Sequence, residues 1–285
     1  MKVLVLGCNG MAGHMISLYF HERRYEVYGL ARSESNIIPT FVCDASNFSR
    51  LKEIILLNQF DVIINCIGVL NKHAEDDKVS AVQLNSLLPH FLVAVTSQMK
   101  TRIIHMSTDC VFSGKKGSYT ESELPDGATF YDRSKALGEI NDRKNLTLRN
   151  SIIGPDINVN GIGLLNWFLM NNANELNGYS GAIWTGQTTL QLAKTMEAAI
   201  QQNAVGLINA VPEKSITKYE LLCLFNKIFF DGQKKIVAVD GIVANKSLKR
   251  TNWNFNYKIP DYEEMLWDLY DWMKQHRNLY PHYLI

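Results

Sequence analysis

The sequence predicts an α/β fold in which helices cover both faces of a doubly wound parallel sheet. A short apolar run at residues 2–6 is followed by closely spaced glycines and then at once by a helical pattern. Further short apolar runs alternate with longer helical stretches, which is typical of parallel strands joined by helices. The chain has 285 residues, enough for a full core and roughly two lobes.

The turn after the first strand is the strongest local signal. Gly7 permits a tight turn, Gly10 lets the backbone approach a pyrophosphate, and Gly13 lets the helix pack against the sheet. The N-terminus of that helix supplies free N–H groups and a partial positive charge for the anion. We therefore predict that this turn, with Asn9 and Met11, binds a dinucleotide. Three glycines by themselves would also fit a turn that binds no ligand, which is the alternative.

The composition argues against several classes of partner. The 29 Lys and Arg nearly balance the 28 Asp and Glu, so no global field recruits nucleic acid or an anionic membrane. The N-terminal apolar run is too short for a signal peptide, and no run approaches the roughly 20 residues that span a bilayer. The five cysteines and seven histidines show no metal-ligand spacing. We therefore expect a cytoplasmic protein without a metal site.

The first half of the chain reads as strands and helices in alternation. Residues 25–30, 41–44, 61–68 and 102–106 are predicted as strands because they are short and mainly apolar, and 11–22 and 47–57 as helices. The polar segment 71–78 is predicted as a loop, and 79–99 as one long helix interrupted only by Pro89.

The ends of the second and third strands indicate which cofactor is bound. NAD usually meets an Asp or Glu after the second strand, whereas the 2′-phosphate of NADP needs positive charge. The sequence has Arg32 there, so NADP(H) is preferred and NAD(H) stays possible, because Glu34 is close and a solvated surface arginine is the alternative. Asp44 ends the third strand, where it would bond the adenine amine or cap the next helix.

The ends of two later strands carry further candidates. In doubly wound sheets, ligands bind beyond the carboxyl ends of the strands. Residues 61–68 end with Cys66 and Gly68, where the backbone can pass close to the cofactor. Ser107, Thr108 and Asp109 follow the strand 102–106, so two hydroxyls and a carboxylate fall where catalytic groups are expected, with a capped turn as the alternative.

Tyr131 and Lys135 are the strongest catalytic candidates. Positions four apart on a helix share one face. An ammonium beside the phenol, helped by the charge of an oxidised nicotinamide, would lower the pKa of Tyr131 from about 10 toward the working range. Tyr131 would then exchange a proton with a carbonyl or alcohol oxygen while hydride moves to or from the nicotinamide.

These motifs resemble the extended short-chain dehydrogenase/reductases, and within them the dTDP-4-dehydrorhamnose reductase-like branch. The matching pieces, in family order, are Gly7-x-x-Gly10-x-x-Gly13, Asn65-Cys66-Ile67-Gly68, Asn85, Ser107-Thr108-Asp109-Cys110-Val111-Phe112-Ser113-Gly114 and Tyr131-x-x-x-Lys135-Ala136-Leu137-Gly138-Glu139. The resemblance implies a catalytic tetrad. Thr108 would polarise the substrate oxygen, and Tyr131 would act as acid or base. Lys135 would hold the ribose and tune Tyr131, and Asn85 would order a water.

The resemblance further implies a nucleotide-linked substrate, a 4-keto-6-deoxyhexose. Residues 149–154, including Asn150, match the family segment that crosses from the sheet to the substrate lobe, so Asn150, like Asp109, is a substrate-binding candidate. Rhamnose-forming reductases usually carry Tyr and Trp where this sequence has Cys110 and Ile152. These departures favour a related 4-keto sugar. We expect residues 1–150 to form the Rossmann-type NADP(H)-binding domain and 151–285 mainly a smaller C-terminal substrate-binding lobe, with segments near 180–211 returning to the first domain.

The C-terminal half offers weaker signals. Residues 161–176, 188–201 and 261–274 are predicted as helices, and 206–211 as a late strand of the sheet. Thr217 and Glu220 have the spacing of a capping box. Trp184 or Gln187 is a candidate for lining the sugar pocket. A basic cluster would either meet a substrate diphosphate or be solvated surface charge; its members are Lys246, Lys249 and Arg250.

The leading function is an NADPH-dependent reductase of a nucleotide-linked 4-keto-6-deoxy sugar in surface-polysaccharide biosynthesis. One alternative is a nucleotide-sugar epimerase of the same superfamily. The other is a non-catalytic NADP-binding regulatory subunit, which would not need Tyr131 or Lys135, both retained here. The resemblance also implies a homodimer packed through the helices that carry Asn85 and Tyr131.

Overall fold

The computed structural model describes residues 1–284, built from strands and helices that largely alternate. The strands are β1 (Lys2–Leu6), β2 (Glu26–Ala31), β3 (Thr40–Val42), β4 (Val62–Asn65), β5 (Arg102–Met106), β6 (Leu146–Arg149), β7 (Ile152–Ile153), β8 (Glu175–Tyr179), β9 (Ala182–Trp184), β10 (Gln187–Thr188), β11 (Gly206–Asn209), β12 (Ile216–Thr217), β13 (Lys235–Val239) and β14 (Ala244–Asn245). The helices are α1 (Met11–Glu22), α2 (Phe48–Asn58), α3 (Asn71–Asp76), α4 (Lys78–Ala81), α5 (Leu88–Val95), α6 (Phe130–Leu137), α7 (Leu164–Met170), α8 (Thr189–Gln201), α9 (Lys218–Phe230) and α10 (Tyr262–Gln275).

Seven strands form one parallel sheet, in the order β11-β6-β5-β4-β1-β2-β3. Successive side chains of a strand point to opposite faces. Val3 and Val5 accordingly belong to one buried cluster, with residues of α1, α8 and α10, while Leu4 and Leu6 belong to another, with residues of α2 and α5. The predicted doubly wound sheet is confirmed.

The strand order places β1 next to β4, where the direction of winding reverses. Ligands of such sheets bind at this crevice, beyond the carboxyl ends of the strands. The late strand predicted near 206–211 is confirmed as β11, which pairs with β6 at the edge of the sheet. The rest of the C-terminal half forms smaller sheets, β12-β9-β14, β13-β8 and β10-β7. The domain boundary near residue 150 stays a prediction.

Three predicted elements are wrong in kind or extent. The segment 71–78 contains helix α3 rather than only a loop, because Ala74 is buried in a cluster with Tyr131. The burial of Ala74 stabilises a helix in this segment although its sequence is mainly polar. The region 161–176 holds only the short α7 and then begins β8. The predicted helices at 11–22, 47–57, 188–201 and 261–274 are confirmed to within one residue at each end.

The long helix predicted at 79–99 is interrupted by a π-helical turn, Val82–Leu87, between α4 and α5, and it ends at Val95. Pro89 has no N–H to donate to the carbonyl of Asn85, four residues earlier. That carbonyl faces Gly138, where any Cβ atom would collide with it. No helix within residues 1–284 is long and apolar enough to cross a membrane.

Candidate active site

A cavity of about 790 Å³ opens at the carboxyl edge of the sheet. Its lining brings together residues from the ends of β1, β2, β3 and β4, which the strand order makes neighbours. The predicted cofactor residues that line it are Gly7, Asn9, Gly10, Arg32, Asp44, Cys66 and Gly68. Four other predicted cofactor residues are outside the lining: Met11, Gly13, Tyr131 and Lys135.

The glycine turn has the backbone that its sequence predicts. Gly7 adopts a φ of +76°, which favours glycine. A Cβ atom at Gly13 would collide with the Gly7 carbonyl, so this position needs glycine for the helix to approach the turn. A Cβ atom at Gly10 would meet only the Gly7 oxygen, at 3.4 Å. Gly10 therefore faces open space at the N-terminus of α1, where a pyrophosphate fits.

Asn9 connects the glycine turn to the loop after β2. Its side-chain amide donates to the carbonyl oxygens of Ser33 and Glu34, at 3.1 and 3.2 Å. The loop that carries Arg32 is thereby fixed beside the turn. Met11 opens α1, and its sulfur atom lies against Gly163.

Arg32 and Asp44 are both exposed at the mouth of the cavity. The Asp44 carboxylate accepts from the N–H of Ser46 at 2.8 Å, and hydrogen bonding to Ser46 lowers the pKa of Asp44, with a smaller contribution from the charge of Arg32. Asn47 is the residue that caps α2, through the N–H of Arg50. The alternative in which Asp44 caps this helix is therefore wrong.

Helix α6 carries Tyr131 and Lys135 on one buried face, with exposures of only 7% and 4%. The ammonium of Lys135 donates to the carbonyl of Met106 at 2.7 Å, at the end of β5. Burial lowers the pKa of Lys135 to about 8, while the carboxylate of Glu139 acts in the opposite direction. The carbonyl of Met106 and the carboxylate of Glu139 thus both favour the charged form of Lys135 in this buried position.

Burial also dominates the environment of the Tyr131 phenol. It raises the pKa of Tyr131 well above its ordinary value, and the charges of Cys110 and Asp109 act in the same direction, whereas the hydroxyl of Thr108 opposes them. The predicted lowering of this pKa is therefore wrong for the groups of the chain itself. The desolvation cost of the phenolate is larger than the stabilisation that the protein provides.

Thr108 follows β5 and begins a single 3₁₀ turn. Its hydroxyl accepts from the N–H of Cys110 and donates to a carboxylate oxygen of Asp109, both at 3.1 Å. The capped turn, one of the two alternatives predicted from the sequence, is thus present, and the catalytic role of the hydroxyl stays a prediction. Asp109 is buried, and this desolvation raises the pKa of its carboxyl.

Asn85 lies fully buried in the π-helical turn. Its side-chain oxygen accepts from the N–H of Val69 at 2.8 Å, and its amide donates to the Val69 carbonyl at 2.9 Å and to the Ser134 hydroxyl at 3.0 Å. Asn85 therefore connects the loop after β4 to helix α6.

Two predicted substrate residues have different surroundings. Asn150 is 2% exposed, and within residues 1–284 neither atom of its amide has a hydrogen-bond partner. Trp184 is 4% exposed, and its ring packs against Tyr262 and under the ammonium of Lys218, 4.6 Å from the ring centroid. Trp184 is therefore buried beneath Lys218 and does not form the open wall of a pocket.

A buried ion pair below the site was not predicted. Arg149, at the end of β6, bonds both carboxylate oxygens of Glu139 at 2.7 Å, and Ser107 also donates to that carboxylate. The side chains of Arg149 and Glu139 are 3% and 8% exposed. Glu139, which ends the motif that begins at Tyr131, thus favours the charged form of Lys135. It also holds the segment before Thr108 in place. Its spacing from Tyr131 was visible in the sequence, but its arginine partner was not.

The predicted basic cluster is divided by the structure. Lys249 is exposed, and the guanidinium of Arg250 donates to the carbonyls of Asn252 and Tyr257. Lys246 alone comes near the candidate site, within electrostatic reach of Asp109. No group of three or more residues in the described chain, 1–284, has the makeup of a metal site.

The family described as "RmlD substrate binding domain" matches residues 1–152, more than half of the chain. The chain belongs to this family. The resemblance to the dTDP-4-dehydrorhamnose reductase-like branch of the extended short-chain dehydrogenase/reductases is thereby confirmed.

The relatives of this chain include proteins named as reductases and one named as an enzyme subunit. A protein named as a probable low-salt glycan biosynthesis reductase, from Haloferax volcanii, is 32% identical over 146 residues, 49% of this chain and 48% of that protein. A dTDP-4-dehydrorhamnose reductase from Aggregatibacter actinomycetemcomitans is 31% identical over 141 residues, covering 48% and 45%. The methionine adenosyltransferase 2 subunit beta of Danio rerio is 26% identical over 145 residues, covering 48% and 42%. The chain therefore matches about half the length of these curated relatives.

Solved structures of this fold align over nearly the whole chain. The dTDP-4-dehydrorhamnose reductase of Bacillus anthracis, solved in complex with NADP, has a TM-score of 0.81 at 18% identity. The alignment covers 95% of this chain and 98% of that one. At this identity the likeness concerns the fold alone.

Proposed function

We propose that this family member is an NADPH-dependent reductase of a nucleotide-linked 4-keto-6-deoxy sugar in surface-polysaccharide biosynthesis. The observation that carries the proposal is the buried pair of Tyr131 and Lys135 on α6, with Thr108 beside Tyr131 at the carboxyl edge of the sheet. The adjoining cavity, with its glycine turn, fits a dinucleotide. The names of the reductase relatives support the same substrate class.

In this proposal a bound NADPH supplies the hydride. Tyr131 donates a proton to the carbonyl oxygen, and its raised pKa keeps the phenol protonated at neutral pH, which is the form that reduction needs. Thr108 polarises the same oxygen through its hydroxyl. Lys135, oriented by the Met106 carbonyl, holds the ribose of the cofactor. Much of the rate comes from holding the donor and the ketone together.

Asn85 has a positioning role in the proposal. Three of its hydrogen bonds join the loop after β4 to α6, so it fixes the distance between the cofactor cavity and Tyr131. The water that the resemblance assigns to Asn85 would have to share these partners. The departures at Cys110 and Ile152 favour a 4-keto sugar other than dTDP-4-dehydrorhamnose.

The main test is NADPH oxidation, followed by absorbance, with UDP-, GDP- and dTDP-4-keto-6-deoxyhexoses made in place by a dehydratase. We expect oxidation that depends on one of these sugars. Binding of NADPH without oxidation of any sugar would reject the reductase and leave the two alternatives.

For the cofactor, we expect Arg32→Ala to weaken NADPH binding by about 1.5–3 kcal/mol, roughly 10- to 150-fold, because a charged hydrogen bond to the 2′-phosphate is lost. NADH affinity should stay unchanged, since NADH has no such phosphate. Fluorescence titration measures both affinities, and Arg143→Ala, another exposed arginine, is the control. Equal losses for the two cofactors would show that Arg32 does not discriminate.

A second candidate is a non-catalytic NADP-binding regulatory subunit, because one relative is named as a subunit, the methionine adenosyltransferase 2 subunit beta. A regulatory subunit would bind NADPH tightly even without the Tyr131 hydroxyl, and neither the wild-type chain nor the variant would reduce a ketone.

A homodimer is also part of the proposal. It is supported by apolar side chains exposed on the helices around Asn85 and Tyr131, among them Leu87 at 51% and Leu137 at 69%. Light scattering of the purified chain gives its mass directly.

A further inference from the structure

Two lysines reach the candidate site through the small sheet β12-β9-β14. The last residues of β12 and β14 both pair with Ile183, in the middle of β9. Lys218 and Lys246 follow those two strands directly, so the sheet brings them to opposite sides of β9. The ammonium of Lys218 lies over the ring of Trp184, at 4.6 Å from its centroid.

The backbone around Lys246 is fixed to the loop that follows Thr108. The N–H of Asn245 donates to the Gly114 carbonyl at 2.8 Å, and the N–H of Ser118 donates to the Ser247 hydroxyl at 2.8 Å. The aliphatic stem of Lys246 packs on Gly114, where a Cβ atom would come within 2.9 Å of it. The backbone and the stem of Lys246 are therefore both held in place, whereas the side chain of Lys249 is exposed.

Both ammonium groups lie within electrostatic reach of the buried carboxylate of Asp109 but form no ion pair with it. Their charges lower the pKa of Asp109, although burial, the larger effect, raises it. Burial lowers the pKa of Lys218 to about 8. Within the described residues 1–284, neither lysine makes a hydrogen bond or ion pair through its ammonium.

Within the part of the chain that the structure describes, both ammonium groups therefore keep their N–H donors free for a ligand. Two positive charges also exceed the single negative charge of Asp109, which already accepts from the Thr108 hydroxyl. We infer that Lys218, supported by Trp184, and Lys246 form a dibasic subsite that binds negatively charged oxygens of the substrate beside Thr108. This inference rests on the proposed function for its ligand, a nucleotide-linked sugar.

Two parts of such a ligand carry the required chemistry. One is the diphosphate that links nucleotide and sugar, and the other is an acid group on the sugar ring. Either would place charged oxygens between the two ammonium groups while the ring carbonyl meets Thr108 and Tyr131. The Trp184 ring in both cases orients Lys218 rather than stacking on the sugar.

Calorimetric titration with UDP, dTDP and D-glucuronate tests the dibasic subsite, with and without saturating NADP⁺. The variants are Lys218→Gln and Lys246→Gln, with Lys249→Gln as the matched control and Lys218→Arg as the charge-preserving variant. We expect UDP or dTDP affinity to fall more than tenfold in each glutamine variant and by less than twofold in the control. Lys218→Arg should recover part of the loss. NADP⁺ affinity and thermal unfolding report that the variants are folded.

Dependence of D-glucuronate binding on the lysines, instead of nucleotide binding, would assign the subsite to an acid group on the sugar. Wild-type affinities in both glutamine variants would overturn the inference, as would failure of all three probes to bind the wild-type chain. Lysine-dependent UDP binding without reduction of any ketone would support the subsite and reject the reductase. Ketone reduction with an unchanged KM in both variants would reject the subsite and support the reductase.

Discussion

Replacing Tyr131 with Phe is expected to lower kcat for ketone reduction by about 10²- to 10⁴-fold, the range for loss of a general acid. The substitution removes one hydroxyl and keeps the ring that packs with Ala74 and Ala81. NADPH affinity should change by at most roughly tenfold, because a single hydrogen bond is involved. Steady-state kinetics and NADPH fluorescence titration, on the same preparation, measure the two effects.

Tyr28→Phe is the matched control for this variant. The Tyr28 hydroxyl donates to the exposed carboxylate of Glu26, the first residue of β2, so its loss should leave kcat unchanged. Retention of kcat within tenfold in the Tyr131 variant would reject Tyr131 as the proton donor. A loss of NADPH binding as large as the loss of kcat would instead place the hydroxyl in cofactor binding.

Replacing Arg149 with Met is expected to destabilise the fold by about 3–5 kcal/mol. The variant leaves the carboxylate of Glu139 buried, with Ser107 as its remaining hydrogen-bond donor, and removes the guanidinium that lies over the Phe112 ring. The cost arises because a charge without its counter-ion is left away from water. Urea unfolding followed by circular dichroism gives the change in free energy of unfolding.

An exposed ion pair provides the comparison for Arg149. Arg50 and Glu53 are neighbours on α2, with side chains 52% and 53% exposed. Arg50→Met should cost less than about 1 kcal/mol, because water screens the pair and solvates the remaining carboxylate. Losses of similar size at the two positions would contradict the view that burial makes the Glu139 pair costly to break.

Local patterns in the sequence predicted much of the fold and part of the candidate site. Gly7 and Gly13 are required by backbone geometry within one turn, and Tyr131 and Lys135 share a face because four residues make about one helical turn. These relations span few residues, so sequence order alone contains them. The carboxyl ends of the parallel strands then place Arg32 and the other cavity residues at one edge of the sheet, because the alternation of strands and helices predicts that the strands run parallel.

Contacts between distant segments decided the rest. Helix α3 exists because Ala74 packs beside Tyr131, and Glu139 pairs with an arginine from the next strand of the sheet. The pKa of Tyr131 is raised because its desolvation depends on everything packed around it. The separation of Lys246 from Lys249 also depends on pairing across the small sheet. By itself, the sequence determined the local turns, the helix faces and the family. Only the tertiary structure decided burial, charge pairing and the position of the dibasic subsite, because these depend on residues that are far apart in the chain and meet only on folding.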